Sequence, residues 1–306
     1  VKVLVTGATG LIGKEIVKIL HAKGITIHFL TTAPEKIKSK PNTKGYYWNP
    51  KTGEIDENCL AGVDAVIHLA GASIAKRWTK KYKQEIVESR VLSANLLFQL
   101  LKTHPHQVKQ IVSASAIGVY PSSFTSNYNE EFNKFEDTFL ANVVLKWEGS
   151  VQQFSRLGLN VCKLRIGLVL SKKGGALPQL VKPVRFGLGS VFGSGKQWQS
   201  WIHVKDLARM FVFSLENNSD GIFNAVAPNP VTHREMMFSI ARILKKPLFF
   251  PNTPRVIMKL LLGEMHTLLF ESQKVSSAKI QENGFHFQFL SAEEALTDLL
   301  KKKINV

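Results

Sequence analysis

Strands and helices alternate through the first two-thirds of this 306-residue chain, and a glycine-rich turn joins the first apolar strand to the first amphipathic helix. Beyond about residue 227 the alternation gives way mainly to helices. These observations predict an α/β fold: a doubly wound parallel sheet with a smaller, mainly helical C-terminal unit. The opening strand, Val1-Lys2-Val3-Leu4-Val5, runs straight into Thr6-Gly7-Ala8-Thr9-Gly10-Leu11-Ile12-Gly13. Ile12, Ile16, Ile19 and Leu20 then recur at helical spacing.

Each glycine of the turn answers a physical requirement. Gly7 permits the tight strand-to-helix turn, Gly10 lets the backbone approach a pyrophosphate, and Gly13 lets the helix pack closely on the strand. The helix start offers its N–H groups to the anion. The segment therefore reads as a Rossmann-type dinucleotide cradle, with Gly7, Thr9, Gly10, Leu11, Ile12 and Gly13 as cofactor-binding candidates. The second strand, Thr26-Ile27-His28-Phe29-Leu30, should end where an adenosine ribose would lie. An acid there would hydrogen-bond the 2′-hydroxyl and favour NAD. Thr31, Thr32 and Ala33 follow instead, with Lys36 and Lys38 shortly after, which favours NADP and leaves NAD as the alternative. The same lysines read equally well as a solvated helix face.

Further along, a short strand is expected near Tyr46-Tyr47-Trp48 and a buried one over residues 64–70, ending at Gly71. A long helix should cover 80–103, a strand Gln110-Ile111-Val112-Ser113-Ala114-Ser115, a helix 139–157 and a strand 160–166. Residues 171–200, rich in Gly, Lys and Pro, read as an excursion from the sheet. Trp201 should start a helix capped near Lys205 or Asp206, and 221–225 should return as a strand. The tail should hold helices over 232–244, 254–262 and 292–302. The expected division is a dinucleotide-binding domain of 1–170 plus about 201–227, and a substrate unit of about 171–200 plus 228–306. The unit should close over the carboxyl ends of the strands, where such folds bind ligands.

Composition sets bounds on the partners. A hydrophobic fraction of 44% and a charged fraction of 21% suit an ordinary globular protein. Two distant cysteines, Cys59 and Cys162, support neither a metal cluster nor a disulfide framework. With no signal peptide and no membrane-length apolar run, the cytoplasm is the expected compartment. The formal charge of +17 would suit an anionic partner. Yet the cations are scattered as single lysines, and the densest run, Lys301-Lys302-Lys303, sits at a terminus. No nucleic-acid-binding motif is visible, so the expected partner is a small molecule, with neither specific nucleic acid nor membrane.

The G-x-x-G-x-x-G spacing resembles the short-chain dehydrogenase/reductase superfamily in its extended and atypical branches. Other blocks resemble one atypical branch, the NAD-dependent epimerase/dehydratase family of sugar-epimerase-like proteins. They include Leu69-Ala70-Gly71-Ala72-Ser73, Arg77-Trp78-Thr79, Glu88-Ser89-Arg90-Val91 and Ser113-Ala114-Ser115-Ala116. Further on, Gly195-Lys196-Gln197-Trp198, Ser200-Trp201-Ile202-His203 and Asn224-Ala225-Val226-Ala227-Pro228 fit as well. Leu261-Leu262-Gly263-Glu264-Met265 and Ser272-Gln273-Lys274-Val275 resemble the C-terminal domain of unknown function that accompanies this branch. The resemblance implies a nicotinamide dinucleotide bordered by Leu69, Ala70, Gly71, Arg90 and Ser113, with Thr31 and Lys36 at its ribose end. It also implies a sugar-like or anionic substrate and the helix-to-helix homodimer of relatives, here through Leu96, Leu97, Leu100 and Leu101.

The superfamily also implies a catalytic Ser, Tyr and Lys. Ser115 fits the first position, but counting back from Glu148 puts the other two on Leu140 and Val144, which cannot move a proton. The one Tyr-x-x-x-Lys match, Tyr47 to Lys51, falls on the wrong element and contains Pro50. Tyr120 and His203 are the remaining catalytic candidates beside Ser115. Arg77, Trp78, Gln197, Trp198 and Trp201 are the substrate-binding candidates, offering a guanidinium fork and stacking faces. For Trp201 and His203 a purely structural part, anchoring the loop before the next helix, competes with the functional one. The leading reading is an NADP-dependent oxidoreductase or epimerase-like protein with non-standard catalysis. A dinucleotide-dependent sensor without chemistry is the alternative, and a basic surface for nucleic acid or anionic lipid comes last.

Overall fold

A computed structural model describes residues 1–37 and 41–301; Lys38, Lys302 and Lys303 lie outside the described residues. In chain order the first strands are β1 (Lys2–Thr6), β2 (Thr26–Thr31), β3 (Thr43–Asn49), β4 (Glu54–Ile55), β5 (Ala65–His68) and β6 (Gln110–Ala116). After β7 (Asn127–Tyr128) come β8 (Asn160–Ile166), β9 (Leu168–Leu170), β10 (Trp198–Gln199) and β11 (Trp201–His203). The last are β12 (Gly221–Ala225), β13 (Val231–Thr232) and β14 (Lys274–Val275). Eight strands make one sheet, ordered β12-β8-β6-β5-β1-β2-β3-β4. All pair in parallel except β4, which runs antiparallel on β3.

Helices cover both faces, so β1, β5 and β6 are buried at nearly every position rather than at alternate ones. Val3, Leu4, Val66, Ile67, Ile111 and Val112 are inaccessible. The first five helices are α1 (Leu11–Ala22), α2 (Lys80–Thr103), α3 (Phe139–Gln152), α4 (Leu177–Arg185) and α5 (Val204–Glu216). The tail supplies α6 (His233–Leu244), α7 (Arg255–Leu262), α8 (Thr267–Phe270), α9 (Ala278–Glu282) and α10 (Ala292–Leu300). Helices α1 and α5 pack together, as do α2 and α3. From β1 the chain winds out to β2 and β3, then returns on the other side of β1 through β5 and β6. The crevice for a ligand therefore opens between the ends of β1 and β5.

Several expected boundaries move, each for a local reason. The helix expected over 139–157 is α-helical only to Gln152 and then tightens into a 3-10 turn that stops at Gly158, with φ 75°. Trp201 begins a strand rather than a helix, because residues 201–203 pair with β9. The helix starts at Val204, and its cap is His203, whose ring accepts from the Lys205 N–H. Helix α6 starts after Thr232, which forms a capping box with Glu235, and Ser291 with Glu294 does the same for α10.

Among the described residues two large apolar cores result, with smaller clusters around Tyr120–Tyr128 and Trp78–Ile86. The larger fills the sheet region and draws Ile280 and Phe285 from the tail. The second gathers Leu170 of β9 and Trp201 of β11 with Leu177, Val184, Met236 and Leu296 from the excursion and the tail.

Candidate functional site

At the end of β1 the glycine turn is closed by an N–H···O bond from Gly10 to Gly7 of 2.9 Å. Gly7 has φ 69°, a left-handed conformation that favours glycine. A Cβ on Gly13 would stand 2.2 Å from the Gly7 carbonyl oxygen and 2.8 Å from Ala8 Cα, so no side chain fits there. Gly10 and Thr9 are exposed, and Gly10 caps α1 without a side chain. The first turn of α1 carries no acid. The N–H groups of Leu11, Ile12 and Gly13 precede the first intrahelical bond, so they and the helix dipole face outward toward an anion.

The opposite wall, Leu69-Ala70-Gly71, is fixed by a buried polar brace. Thr6 Oγ1 accepts from the N–H groups of Leu69 (2.9 Å) and Ala70 (3.0 Å). Both lone pairs are thus used, and its own proton goes to His68 Nδ1 at 3.0 Å. The network assigns the His68 proton to Nε2, which donates to Ser93 Oγ at 3.3 Å, and Ser93 donates to the Arg90 carbonyl. Complete burial lowers the His68 pKa to about 4, keeping the ring neutral. Arg90 itself donates to the carbonyls of Ile86 (2.8 Å) and Ala72 (3.2 Å) and lies 5.0 Å from the Trp147 ring. Burial lowers its pKa to about 10, so it stays cationic beside Gly71.

The remaining cofactor candidates divide. Thr31 is buried, its hydroxyl accepting from the Ala33 N–H, and Lys36 is exposed in the short turn Pro34–Lys36 that also holds Glu35. Ser113 is fully buried and donates to the Ala114 carbonyl.

Ser115 and Tyr120, expected at the cleft, have their hydroxyls engaged in a buried network. Ser115 Oγ donates to Glu148 Oε1 at 2.6 Å, and Arg165 binds both oxygens of the same carboxylate at 2.8 and 2.9 Å. Arg165 Nη1 donates to the Tyr120 hydroxyl, which donates to Asn224 Oδ1 at 2.8 Å. Burial raises the Tyr120 pKa against the opposing pull of Arg165. Burial alone would lower that of Arg165, but the hydrogen bonds and charge of Glu148 hold it raised. Ser115 and Tyr120 are each 2% exposed.

The substrate candidates also differ from expectation. Trp201 is fully buried and donates to the Asn229 carbonyl, and Gln197 bridges the carbonyls of Phe192 and Leu269. His203 has no exposed surface; it caps α5, stacks on Phe289 at 4.0 Å and lies 3.3 Å from Asp298. Burial lowers its pKa against the pull of Asp298. Trp78 is buried edge-on to Phe139 and donates to the Ile74 carbonyl. Arg77 is exposed, beside Gly263 of the tail. Trp198 remains partly accessible, with its N–H on the Phe124 carbonyl and Lys274 over its ring.

A small cleft, with room for about one water molecule, lies where Gly118, Tyr120, Pro121, Ser122 and Leu140 meet Glu136 and Glu271. The tail segment is stitched there by parallel pairing of β14 on β7 and by Ser123 N–H to the Ser272 carbonyl. Gln273 adds a bond to the Tyr120 carbonyl. Burial raises the Glu271 carboxyl pKa, the Ser122 hydroxyl lowers it, and the Glu136 charge raises it again. The sequence reading missed both glutamates. The available signal was an acid set directly after the apolar run Leu268-Leu269-Phe270.

A glycine turn and a braced strand end, facing each other at the switch point of a parallel sheet, define a Rossmann-type protein with a helical C-terminal unit. Residues 3–225 match the NAD dependent epimerase/dehydratase family, and residues 253–299 match the Domain of unknown function (DUF1731). The chain belongs to the NAD dependent epimerase/dehydratase family. It is 36% identical over 300 residues to the Epimerase family protein SA0724 of Staphylococcus aureus strain N315, covering 98% of this chain and 99% of that protein. It is 38% identical over 299 residues to the Epimerase family protein SSP1921 of Staphylococcus saprophyticus, covering 97% and 98%. The crystal structure of the human epimerase family protein SDR39U1 (isoform 2) with NADPH superimposes with a TM-score of 0.84. It shares 29% identity and covers 98% of this chain and 99% of that one.

Proposed function

We propose that the protein is a nicotinamide-dinucleotide-dependent oxidoreductase or epimerase-like enzyme acting on a small anionic or sugar-like molecule, with NADP(H) preferred. The observation that carries this reading is the start of α1: three glycine positions without room or need for side chains, no acid in the first turn, and unpaired N–H groups at the sheet's switch point. These residues fit a dinucleotide pyrophosphate, and Arg90 beside Gly71 supplies a nearby cation. The human relative holds NADPH, which supports the same cofactor class here. Such a cofactor supplies hydride transfer. The NADP preference rests on Lys36 and on the missing acid at Thr31, with Glu35 weighing against it.

In this reading residues 171–200 and 228–306 form the substrate unit, supported by an apolar core that they build against β9 and β11. Burial first, and then the Glu136 charge, keep Glu271 protonated to higher pH, and this reading assigns it the proton exchanged with substrate once the small cleft it lines widens on binding. Ser115, Tyr120 and His203 act as positioning residues, since each polar group is already engaged. The sensor reading keeps one observation in its favour: Leu140 and the buried Val144 are apolar at the positions where the family resemblance places proton-transfer groups.

Calorimetric titration with NADPH, NADH and their oxidised forms tests the reading. Binding with an NADPH preference that Lys36→Glu removes is the expected result. Failure of all four to bind would overturn it. If dinucleotides bind but Glu271→Gln leaves the pH profile of carbonyl reduction unchanged, the proton assignment is wrong.

A further inference from the structure

Eight of the fifteen exposed large apolar side chains among the described residues fall in two short segments. Phe186 and Leu188 follow α4; Phe249, Phe250, Val256, Ile257, Leu260 and Leu261 come just before and within α7. The segments are neighbours in space. Thr253 N–H donates to the Val191 carbonyl and Gly193 N–H to that of Thr253, while Leu248 packs where a Cβ on Gly189 would be. Phe249 and Leu260 are each 81% exposed, and Phe186 is 73% exposed. Helix α7 buries none of its eight residues, although its sequence, RVIMKLLL, is almost wholly apolar. A solvated surface helix would carry polar residues on this face.

The charges around this patch have one sign. Residues 182–190 and 244–262 contain Lys182, Arg185, Lys245, Lys246, Arg255 and Lys259 and no Asp or Glu. Arg255 is engaged by His266 and the Phe270 ring, whereas the other five are exposed. The whole chain adds a formal charge of +17. Two copies meeting through this face would oppose their cations. A nucleic acid would answer the cations but leave the aliphatic and phenyl groups in water. An anionic bilayer answers both, with acyl chains accepting the apolar tips and phospholipid headgroups the lysines.

We infer that this face, formed by α7 and the Phe186–Leu188 and Phe249–Phe250 tips, docks the protein reversibly on an anionic lipid surface. No helix among the described residues is long and apolar enough to cross a membrane, so the contact is peripheral. Each lysine near such a surface strengthens binding roughly fivefold, an effect that fades with salt. The sequence expectation of no membrane partner weighed scattered charge and the lack of a membrane-length apolar run; the clustering of exposed apolar groups is visible only in the fold.

The test is co-sedimentation of the full chain with phosphatidylcholine vesicles, with and without phosphatidylserine, at low and high salt. Binding should require phosphatidylserine and weaken with salt. A Phe249→Ser/Leu260→Asp double variant and a Lys245→Glu/Lys246→Glu variant should each lose at least tenfold in affinity. Thermal midpoint and dinucleotide titration on both variants establish that the fold is intact, since all four side chains are exposed. Absence of vesicle binding would overturn the inference, as would binding that Leu260→Asp leaves intact. Concentration-dependent dimerisation abolished by Leu260→Asp would overturn it too, and would assign the face to a second copy.

Discussion

At the residue scale, the buried charges carry the largest consequences of single changes. Arg165 and Glu148 form a two-pronged ion pair with 3% and 8% side-chain exposure. Removing one partner strands the other charge. Glu148→Gln should therefore cost about 3–5 kcal/mol in urea unfolding, whereas Lys18→Gln, in an exposed pair with Glu15, should cost less than about 0.5 kcal/mol. Gly13→Ala should abolish dinucleotide binding, because its Cβ would collide with the Gly7 carbonyl. That requirement is local and steric, so the glycine turn was fully legible in the sequence. The pairing of Glu136 with Glu271 was not. It exists only because β14 joins β7 across half the chain, and nothing in the spacing of either residue announces it. Ser115 and Tyr120 were found as polar groups near a strand end, but their partners, Glu148, Arg165 and Asn224, come from three other elements.

At the element scale, α1 is a helix whose N-terminus lacks the carboxylate that would normally stabilise it. An acid there should have opposite effects on binding and folding. Leu11→Glu should weaken NADPH binding at least tenfold by charge repulsion in the calorimeter. Its interaction with the helix dipole contributes about 0.3–1 kcal/mol to stability, offsetting part of the lost contact with the Gly174–Gly175 loop. The element pattern itself was readable where periodicity dominated, as in Lys80–Thr103, which was found with its observed ends. It misled at Trp201-Ile202-His203, where pairing with β9 overrides the helical reading and moves the start to Val204.

At the scale of the whole molecule, buried titratable groups set how stability follows pH. His68 and His233 are held neutral by burial, each with its pKa lowered to about 4. An unfolded chain would bind protons there near 6.5, so their stabilisation is full above that value and is lost as pH falls toward 4. Between about pH 7 and about pH 5 the loss is about 2 kcal/mol per histidine, and His68→Gln should flatten the urea-unfolding profile in that window. Glu271 acts with the opposite sign. Its raised pKa makes the folded state bind the extra proton, so stability declines as pH rises through and above 4.5, and Glu271→Gln should remove that decline. The tail also completes the first core: Phe285 packs edge-on to Phe213 at 5.4 Å, and buried Asp206 on α5 accepts from the N–H groups of Gln288 and Phe289. The layer that supports the glycine turn is therefore sealed by residues far from it along the chain. A chain cut after β12 would leave this side of α5 uncovered and Asp206 without those two partners, so residues 1–227 alone should unfold at lower urea than the full chain.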